Sequence, residues 1–390
     1  KKMKILIIAN KVVFPALDGG AVAMKKLAHL LASYNQNLID IICISKDEKV
    51  ANIKPPNISI QNNQIKQIVF KKNMGLNILD FTTSILKKES YQANRFYHSK
   101  IKDYVQKLIN EKQYHIVIFE SVFTTVYLNK LKLNNIKIIF RAHNIEHKIW
   151  QDLAKNTILK KIAFYFLANQ IKKMENTIPK YVDHIITISK NDAQYFNKIF
   201  QQKTKTIHVN FDIKNNRKSK IRNSIFHLGS MNWKPNHEGI GWFLHKVKKL
   251  IENENIKIYL AGKDMPSKYF KFTDKNTFIE GQVENSEEYM RNKEILIVPI
   301  FSGSGIRIKI LEGMTLGIPV ISTTKGAQGI PYTDKKNIII ANKPDDFKKA
   351  ILELINNKNF AKKIAQGGQE LIQNHFGSQI LLKKWQEIIN

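Results

Sequence analysis

Short apolar runs alternate along this chain with stretches of helical period. The runs fall at Met3–Ala9, Leu38–Ile44, His115–Glu120, Ile136–Phe140, His184–Ser189 and Thr206–Phe211 in the first half. In the second half they fall at Ser224–Gly229, Ile256–Ala261, Phe278–Val283, Ile295–Val298, Pro319–Ser322 and Asn337–Ala341. Runs this short and this apolar predict strands covered on both faces, as in a parallel sheet. Between and after them, helical patterning predicts helices at Ala21–Ser33, Tyr97–Asn110, Leu153–Ile178, Asn236–Asn253, Ile306–Leu316, Pro344–Asn356, Phe360–Asn374 and Gln379–Ile389. Residues 50–80 are polar and Asn-rich and yield no clear element. Strand–helix alternation of this kind predicts an α/β protein of two Rossmann-like, doubly wound domains with a cleft between them. The run Asp212–Arg222, rich in Lys, Asn, Ser and Arg, reads as the linker. The domains expected are therefore 1–211 and 223–376, with 377–390 as a terminal helix.

The densest signal lies in Ile297–Ser322. A strand ends at Pro299, the loop Ser302-Gly303-Ser304-Gly305 follows, and a helix runs on to Gly317 with Pro319 just beyond, both stop signals. In such a unit, ligands bind where the loop leaves the carboxyl end of the strand. The free amides at the helix start suit an anion, and the glycines let a phosphate approach the backbone. Arg307 and Lys309 add full charges. Gly305, Lys309 and Glu312 have the spacing of one helix face, which predicts phosphate at the amino end and sugar hydroxyls at Glu312. A plain surface ion pair between Lys309 and Glu312 is the alternative.

Composition narrows the partners. The formal net charge is +31 and the chain has one cysteine. Cys43 lies inside an apolar run, so no disulfide framework is expected and a reducing, cytoplasmic setting fits. The opening run is too short for a signal peptide, and no run is long enough to span a bilayer. The lysines are spread over the whole chain, without a dense basic block or an aromatic–basic alternation. An anionic membrane surface is therefore a better match to this charge than nucleic acid, which is not expected as a partner. The long helix Leu153–Ile178 carries Lys155, Lys160, Lys161, Lys172 and Lys173, which read either as a membrane-facing or as a solvated face.

Other chemistries can be weighed on their residues. The Gly-x-Gly-x-x-Gly fingerprint is absent after the first strand, so hydride transfer is unsupported. His143-x-x-Glu146-His147 matches an inverted zinc-peptidase pattern, but His143 follows a strand directly and a third ligand is not evident. A lone His at a strand end suits either a substrate contact or a core cap. No Asp-x-Asp occurs, so a divalent metal bridging a diphosphate is not indicated and no metal or cofactor is expected. A bound diphosphate would rely on Arg307, Lys309, Lys234 and the helix amides. Gly-x-Ser-x-Gly is also absent, which removes the usual serine-hydrolase elbow.

Four segments together carry a family resemblance: Asp18-Gly19-Gly20-Ala21, His143-Asn144-Ile145-Glu146-His147, Gly229-Ser230-Met231-Asn232-Trp233-Lys234-Pro235-Asn236, and Gly303-Ser304-Gly305-Ile306-Arg307-Ile308-Lys309-Ile310-Leu311-Glu312-Gly313-Met314. With these the chain resembles the family 4 retaining glycosyltransferases of the GT-B fold along nearly its whole length. The last segment is similar to the branch in which Gly-x-Gly-x-Arg-x-Lys-x-Leu-Glu replaces Glu-x7-Glu. The resemblance implies hexosyl transfer, with retained configuration, from a UDP-, GDP- or other nucleotide diphosphate sugar to a glycan or lipid-linked acceptor in cell-surface polysaccharide synthesis. It implies Glu312 at the ribose, Ser304 where the family has its first Glu, and Arg307 and Lys309 at the diphosphate. It also places Gly229 and Lys234 in the phosphate loop, Gln282-Val283 at the nucleobase, His143 by the donor sugar, and Gly19 and Gly20 near diphosphate and acceptor. The terminal helix would cross back to the first domain. A nucleotide-sugar epimerase or phosphorylase of the same fold is the nearest alternative.

Overall fold

A computed structural model describes residues 2–47, 57–75, 78–86, 89–155, 161–200, 203–214, 221–303 and 305–390. The chain divides into two units: Lys1–Asn210 with Leu381–Asn390, and Phe211–Ile380.

The first unit runs β1 (Lys4–Ala9), α1 (Gly19–Ser33), β2 (Leu38–Lys46), β3 (Asn57–Asn62), β4 (Ile65–Lys72), α2 (Ile78–Leu86), α3 (Tyr91–Asn94), α4 (Ser99–Lys112), β5 (Ile116–Glu120), β6 (Lys137–Ala142), α5 (Glu146–Lys155), α6 (Lys161–Thr177), β7 (His184–Thr187), α7 (Lys190–Ile199) and β8 (Thr204–Thr206). These strands form one sheet in the order β3-β4-β2-β1-β5-β6-β7-β8. Every pairing is parallel except β3 with β4. The order reverses between β1 and β5, and this is the switch point where doubly wound sheets open toward ligands.

Period-2 alternation sorts the core into two layers. On β1, Ile5, Ile7 and Ala9 pack with Met24, Leu27 and Leu31 of α1, while Leu6 and Ile8 pack with Ile101, Val105 and Leu108 of α4. Both layers being apolar explains why β1 reads as an unbroken run.

The second unit runs β9 (Ser224–Leu228), α8 (Lys234–Trp242), β10 (Lys257–Ala261), β11 (Thr277–Ile279), α9 (Ser286–Arg291), β12 (Ile295–Val298), α10 (Ile308–Thr315), β13 (Val320–Ser322), β14 (Ile339–Ile340), α11 (Pro344–Asn356) and α12 (Lys358–Phe376), and a last helix, α13 (Ser378–Ile389), begins in it. Its sheet is all parallel in the order β11-β10-β9-β12-β13-β14, with the switch point between β9 and β12. The last residues of α13 return to the first unit. Leu381, Trp385, Ile388 and Ile389 are buried in the α1 layer of its core.

Several boundaries differ from the sequence reading. The expected helix Leu153–Ile178 is two helices, α5 and α6, and Lys160 lies outside the described residues. Within residues 50–80, left without an element, Asn57–Asn62 and Ile65–Lys72 form the hairpin β3–β4; the alternating Ile58 and Ile60 of its short outer strand are exposed. The helix after Trp233 starts at Lys234 and passes into a π-helical turn at Phe243–Val247 and a 3-10 turn at Lys248–Ile251. The strand expected over Phe278–Val283 stops at Ile279, and that expected over Thr206–Phe211 ends at Thr206. No helix among the described residues is long and apolar enough to cross a membrane.

Candidate functional sites at the two switch points

In the second unit, β12 delivers the chain to the loop before α10. Gly303 and Gly305 both take positive φ, +86° and +81°, a region that side chains disfavour. Gly305 thus lies outside the helix, so the single face expected for Gly305, Lys309 and Glu312 reduces to Lys309 and Glu312. Ser304 lies outside the described residues. Arg307 occupies the N-cap position of α10 and is buried. Its guanidinium donates to the Gly305 carbonyl at 2.6 Å and the Ser302 carbonyl at 3.4 Å, and lies 4.8 Å from the Trp233 ring centre. Burial lowers its pKa to about 10, which leaves it charged at neutrality.

Lys309 reaches back over the switch point. Its Nζ donates to Asn236 Oδ1 at 2.9 Å and lies 3.1 Å from His227 Nε2. The surface ion pair with Glu312 is thus not its hydrogen-bonded arrangement. Burial, then the charge of Arg307, push the Lys309 ammonium down to about 7 against the opposing pull of Glu312. Gly229 makes room for it, since a Cβ there would stand 2.3 Å from Lys309 Nζ. Lys234 opens α8 on the exposed surface and sits 3.4 Å from Glu238. Val283 lies in the loop beyond β11 and is half-buried, as is Glu312 on α10. Sequence reasoning missed His227, because a His inside an apolar strand carries no pattern of its own, and gave Asn236 no role although it closes one of the resemblance segments.

In the first unit, β5 ends in Glu120 and β6 carries Arg141 next to its end. Glu120 is 0% and Arg141 2% exposed. Arg141 Nη1 donates to both Glu120 oxygens at 2.9 and 3.3 Å, and His143 Nε2 contacts Glu120 Oε2. Burial pushes the Glu120 carboxyl up, but Arg141 and His143 outweigh it and hold the group below its ordinary value. Burial likewise lowers His143 against the pull of Glu120. A neutral His143 then donates from Nε2 to an ionised Glu120. Glu120 was also missed, being read only as the last residue of a strand.

Gly19 and Gly20 open α1 behind Asp18, which caps Ala21 N at 2.9 Å and pairs with Lys11 at 2.8 Å. Burial raises the Asp18 carboxyl, and Lys11 with the helix amides more than reverses this. A Cβ on Gly20 would lie 3.2 Å from Asp18 Oδ1 and 3.3 Å from Lys11 Nζ. His147 turns away from His143. Its Nδ1 lies 2.5 Å from Glu175 Oε2, and Glu175 Oε1 accepts from the Glu146 and His147 amides at 2.8 and 3.4 Å. Glu175 of α6 therefore caps α5. The two histidines of His-x-x-Glu-His pair with different carboxylates, which removes the geometric basis of the zinc-peptidase reading. Among the described residues no three His, Cys, Asp or Glu side chains gather to hold a metal ion. Burial, then Glu175, raise the Glu146 carboxyl to about 7.

Comparison with known proteins adds four findings. Residues 222–357 match the family model described as glycosyl transferases group 1. An uncharacterized 44.6 kDa protein in the cps region of Klebsiella pneumoniae is 23% identical over 389 residues, covering 96% of this chain and 97% of the relative. An uncharacterized glycosyltransferase of Methanocaldococcus jannaschii, MJ1178, is 25% identical over 309 residues, 68% of this chain and 86% of the relative. Among solved structures, TarM of S. aureus, in complex with fondaparinux, α-GlcNAc-glycerol and UDP, superposes with a TM-score of 0.69 at 12% identity over the whole of both chains. The fold is that of the GT-B glycosyltransferases.

Proposed function

Because residues 222–357 are a glycosyl transferases group 1 domain, we propose that this protein moves a hexosyl group from a nucleotide diphosphate sugar to a glycan or lipid-linked acceptor. Configuration at the anomeric carbon is retained. The observation that carries the reading is the pair of cations at the second switch point. Arg307 and Lys309 flank the start of α10, and the hydrogen bonds of Lys309 run to neutral groups. A diphosphate set there meets two cations and the helix amides. We read Glu312, one turn along from Lys309, as the group that holds the ribose hydroxyls.

The chemical task is to stabilise the leaving group. The acceptor oxygen bonds to the anomeric carbon as the bond from that carbon to the phosphate oxygen breaks. The electron pair leaves with the diphosphate, and the hydroxyl proton follows it to a phosphate oxygen. Fixed charges aimed at the departing oxygens lower this barrier without reorganising. No metal is needed in this scheme, since the cations come from the chain. We read His143, which Glu120 holds, as a contact for the donor sugar.

UDP in TarM supports a nucleotide donor, and the relative from a cps region supports a polysaccharide product. The basic chain supports work at the inner face of an anionic membrane.

Thermal melting with UDP, GDP, ADP, dTDP and CMP, with and without EDTA, tests this. One diphosphate at 100-fold over its Kd stabilises by about 2.7 kcal/mol, a shift of roughly 5 °C or more for a unit of this size. The shift is expected to survive EDTA and to vanish in Arg307→Ala. No shift with any nucleotide, or one abolished by EDTA, contradicts the reading.

A further inference from the structure

We infer that His227 is a positioning residue that holds the Lys309 ammonium at the switch point through a neutral lone pair, so that the cation is aimed but not neutralised until an anionic ligand arrives. The inference rests on the donor-site reading above and adds residues which that reading does not use.

The geometry fixes the orientation of both acceptors, His227 and Asn236. His227 is 0% exposed on β9, and its Nδ1 lies 2.9 Å from the Ile297 carbonyl of β12. A carbonyl only accepts, so Nδ1 carries the proton. In the neutral imidazole, which burial and the Lys309 charge favour, Nε2 is then a lone pair, and it faces Lys309 Nζ at 3.1 Å. Asn236 is fixed in the same way. Its Nδ2 donates to the Ser230 carbonyl at 2.8 Å, which turns Oδ1 toward Lys309. The strand pair that defines the switch point therefore sets the imidazole, and the imidazole sets the lysine.

Neutral acceptors do something here that a carboxylate cannot. A carboxylate would orient Lys309 but cancel its charge and compete with a phosphate. A doubly protonated His227 would repel it. Burial and the Lys309 charge lower the His227 pKa well below its ordinary value, which keeps the lone pair available. The other charges at Lys309 are Arg307, which opposes its protonation, and Glu312, which favours it. A diphosphate adds negative charge and draws the proton onto Lys309, so binding is coupled to proton uptake and weakens as pH rises through about 7.

Calorimetric titration with UDP-glucose, GDP-mannose, ADP-glucose and dTDP-glucose between about pH 6 and 9 tests this. In these esters no phosphate monoester titrates near neutrality, so the pH profile reports the protein. The wild type is expected to bind one of them, with affinity falling as pH rises. His227→Phe, similar in volume but without an acceptor, is expected to bind about tenfold more weakly, with its profile moved to lower pH. His227→Gln restores an acceptor and is expected to recover most of the affinity. Asn236→Asp is expected to weaken binding and to move the step to higher pH, because it gives Lys309 a permanent counter-charge. Melting temperatures of the variants check that each is folded. Wild-type affinity and profile in His227→Phe, or tighter binding in Asn236→Asp, would overturn the inference while leaving the donor site standing. Failure of every nucleotide sugar to bind the wild type overturns both.

Discussion

The two switch points solve the same problem in opposite ways. Each switch point holds a charged group drawn out of water: Glu120, fully buried at the end of β5, and Lys309, half-buried on α10. At the first, Glu120 is closed within the protein: Arg141 and His143 occupy both of its oxygens. At the second, Lys309 is hydrogen-bonded to His227 and Asn236, which carry no charge. The effect is visible in the titration behaviour. Glu120 is held ionised despite complete burial, whereas Lys309 is driven down to about 7. A buried ion supplied with its counter-ion is part of the framework. One hydrogen-bonded only to neutral groups, with the Glu312 carboxylate acting on it solely through space, is incompletely compensated and is the one available to a ligand.

The comparison is broken most severely at Glu120. Glu120→Ala leaves the Arg141 guanidinium buried without its counter-ion, and a loss of about 3–5 kcal/mol in unfolding free energy is expected. Urea titration measures it. A loss below about 1 kcal/mol would mean that water already reaches the pair and that the first switch point is not closed. At the second switch point the sign reverses. The folded pKa of Lys309 lies below its unfolded value, so the unfolded chain binds the extra proton between about 7 and the ordinary lysine range, and folding is penalised at and below neutrality. Lys309→Met is expected to raise the melting temperature of the free protein at pH 6.5 by about 2–4 °C while abolishing the shift with nucleotide. A lower melting temperature would make Lys309 structural and erase the contrast.

The smallest effect concerns Glu146, whose carboxyl is raised to about 7 by burial and by Glu175. The folded state there binds more protons than the unfolded one between the ordinary glutamate range and about 7, so stability falls as pH rises through that window. Glu146→Gln is expected to flatten this slope in melting curves taken from about pH 4.5 to 7. An unchanged slope would place the titration elsewhere.

The sheets were legible because both faces of their central strands are covered. β1, β5 and β12 read as apolar runs for that reason, and the Gly303–Gly305 loop announced itself through residues chosen for positive φ. The hairpin β3–β4 was not legible: β3 is short and leaves Ile58 and Ile60 exposed, and in β4 lysines and a buried Gln67 interrupt the apolar residues that the sheet covers. Arg307 and Lys309 could be singled out locally, as charges at a helix start. Glu120 could not. Its partners lie 21 and 23 residues away on the next strand and its loop, and only the β5–β6 register brings them together. His227 depends on a contact 70 residues distant and on Lys309, 82 residues distant. The motif residues are the ones sequence can show, and the groups that hold them are a product of topology.

The return of the last helix gives the chain an order in time. Trp385, 1% exposed, fills the first unit's core beside Leu381, Ile388 and Ile389. Those residues are translated after the whole of the second unit. At an elongation rate of roughly 5–20 residues per second, the first unit would wait on the order of ten seconds with one wall of its core open. The second unit, begun later, can close first. Any expression of residues 1–210 alone would reproduce that waiting state permanently, with an apolar face turned to the solvent.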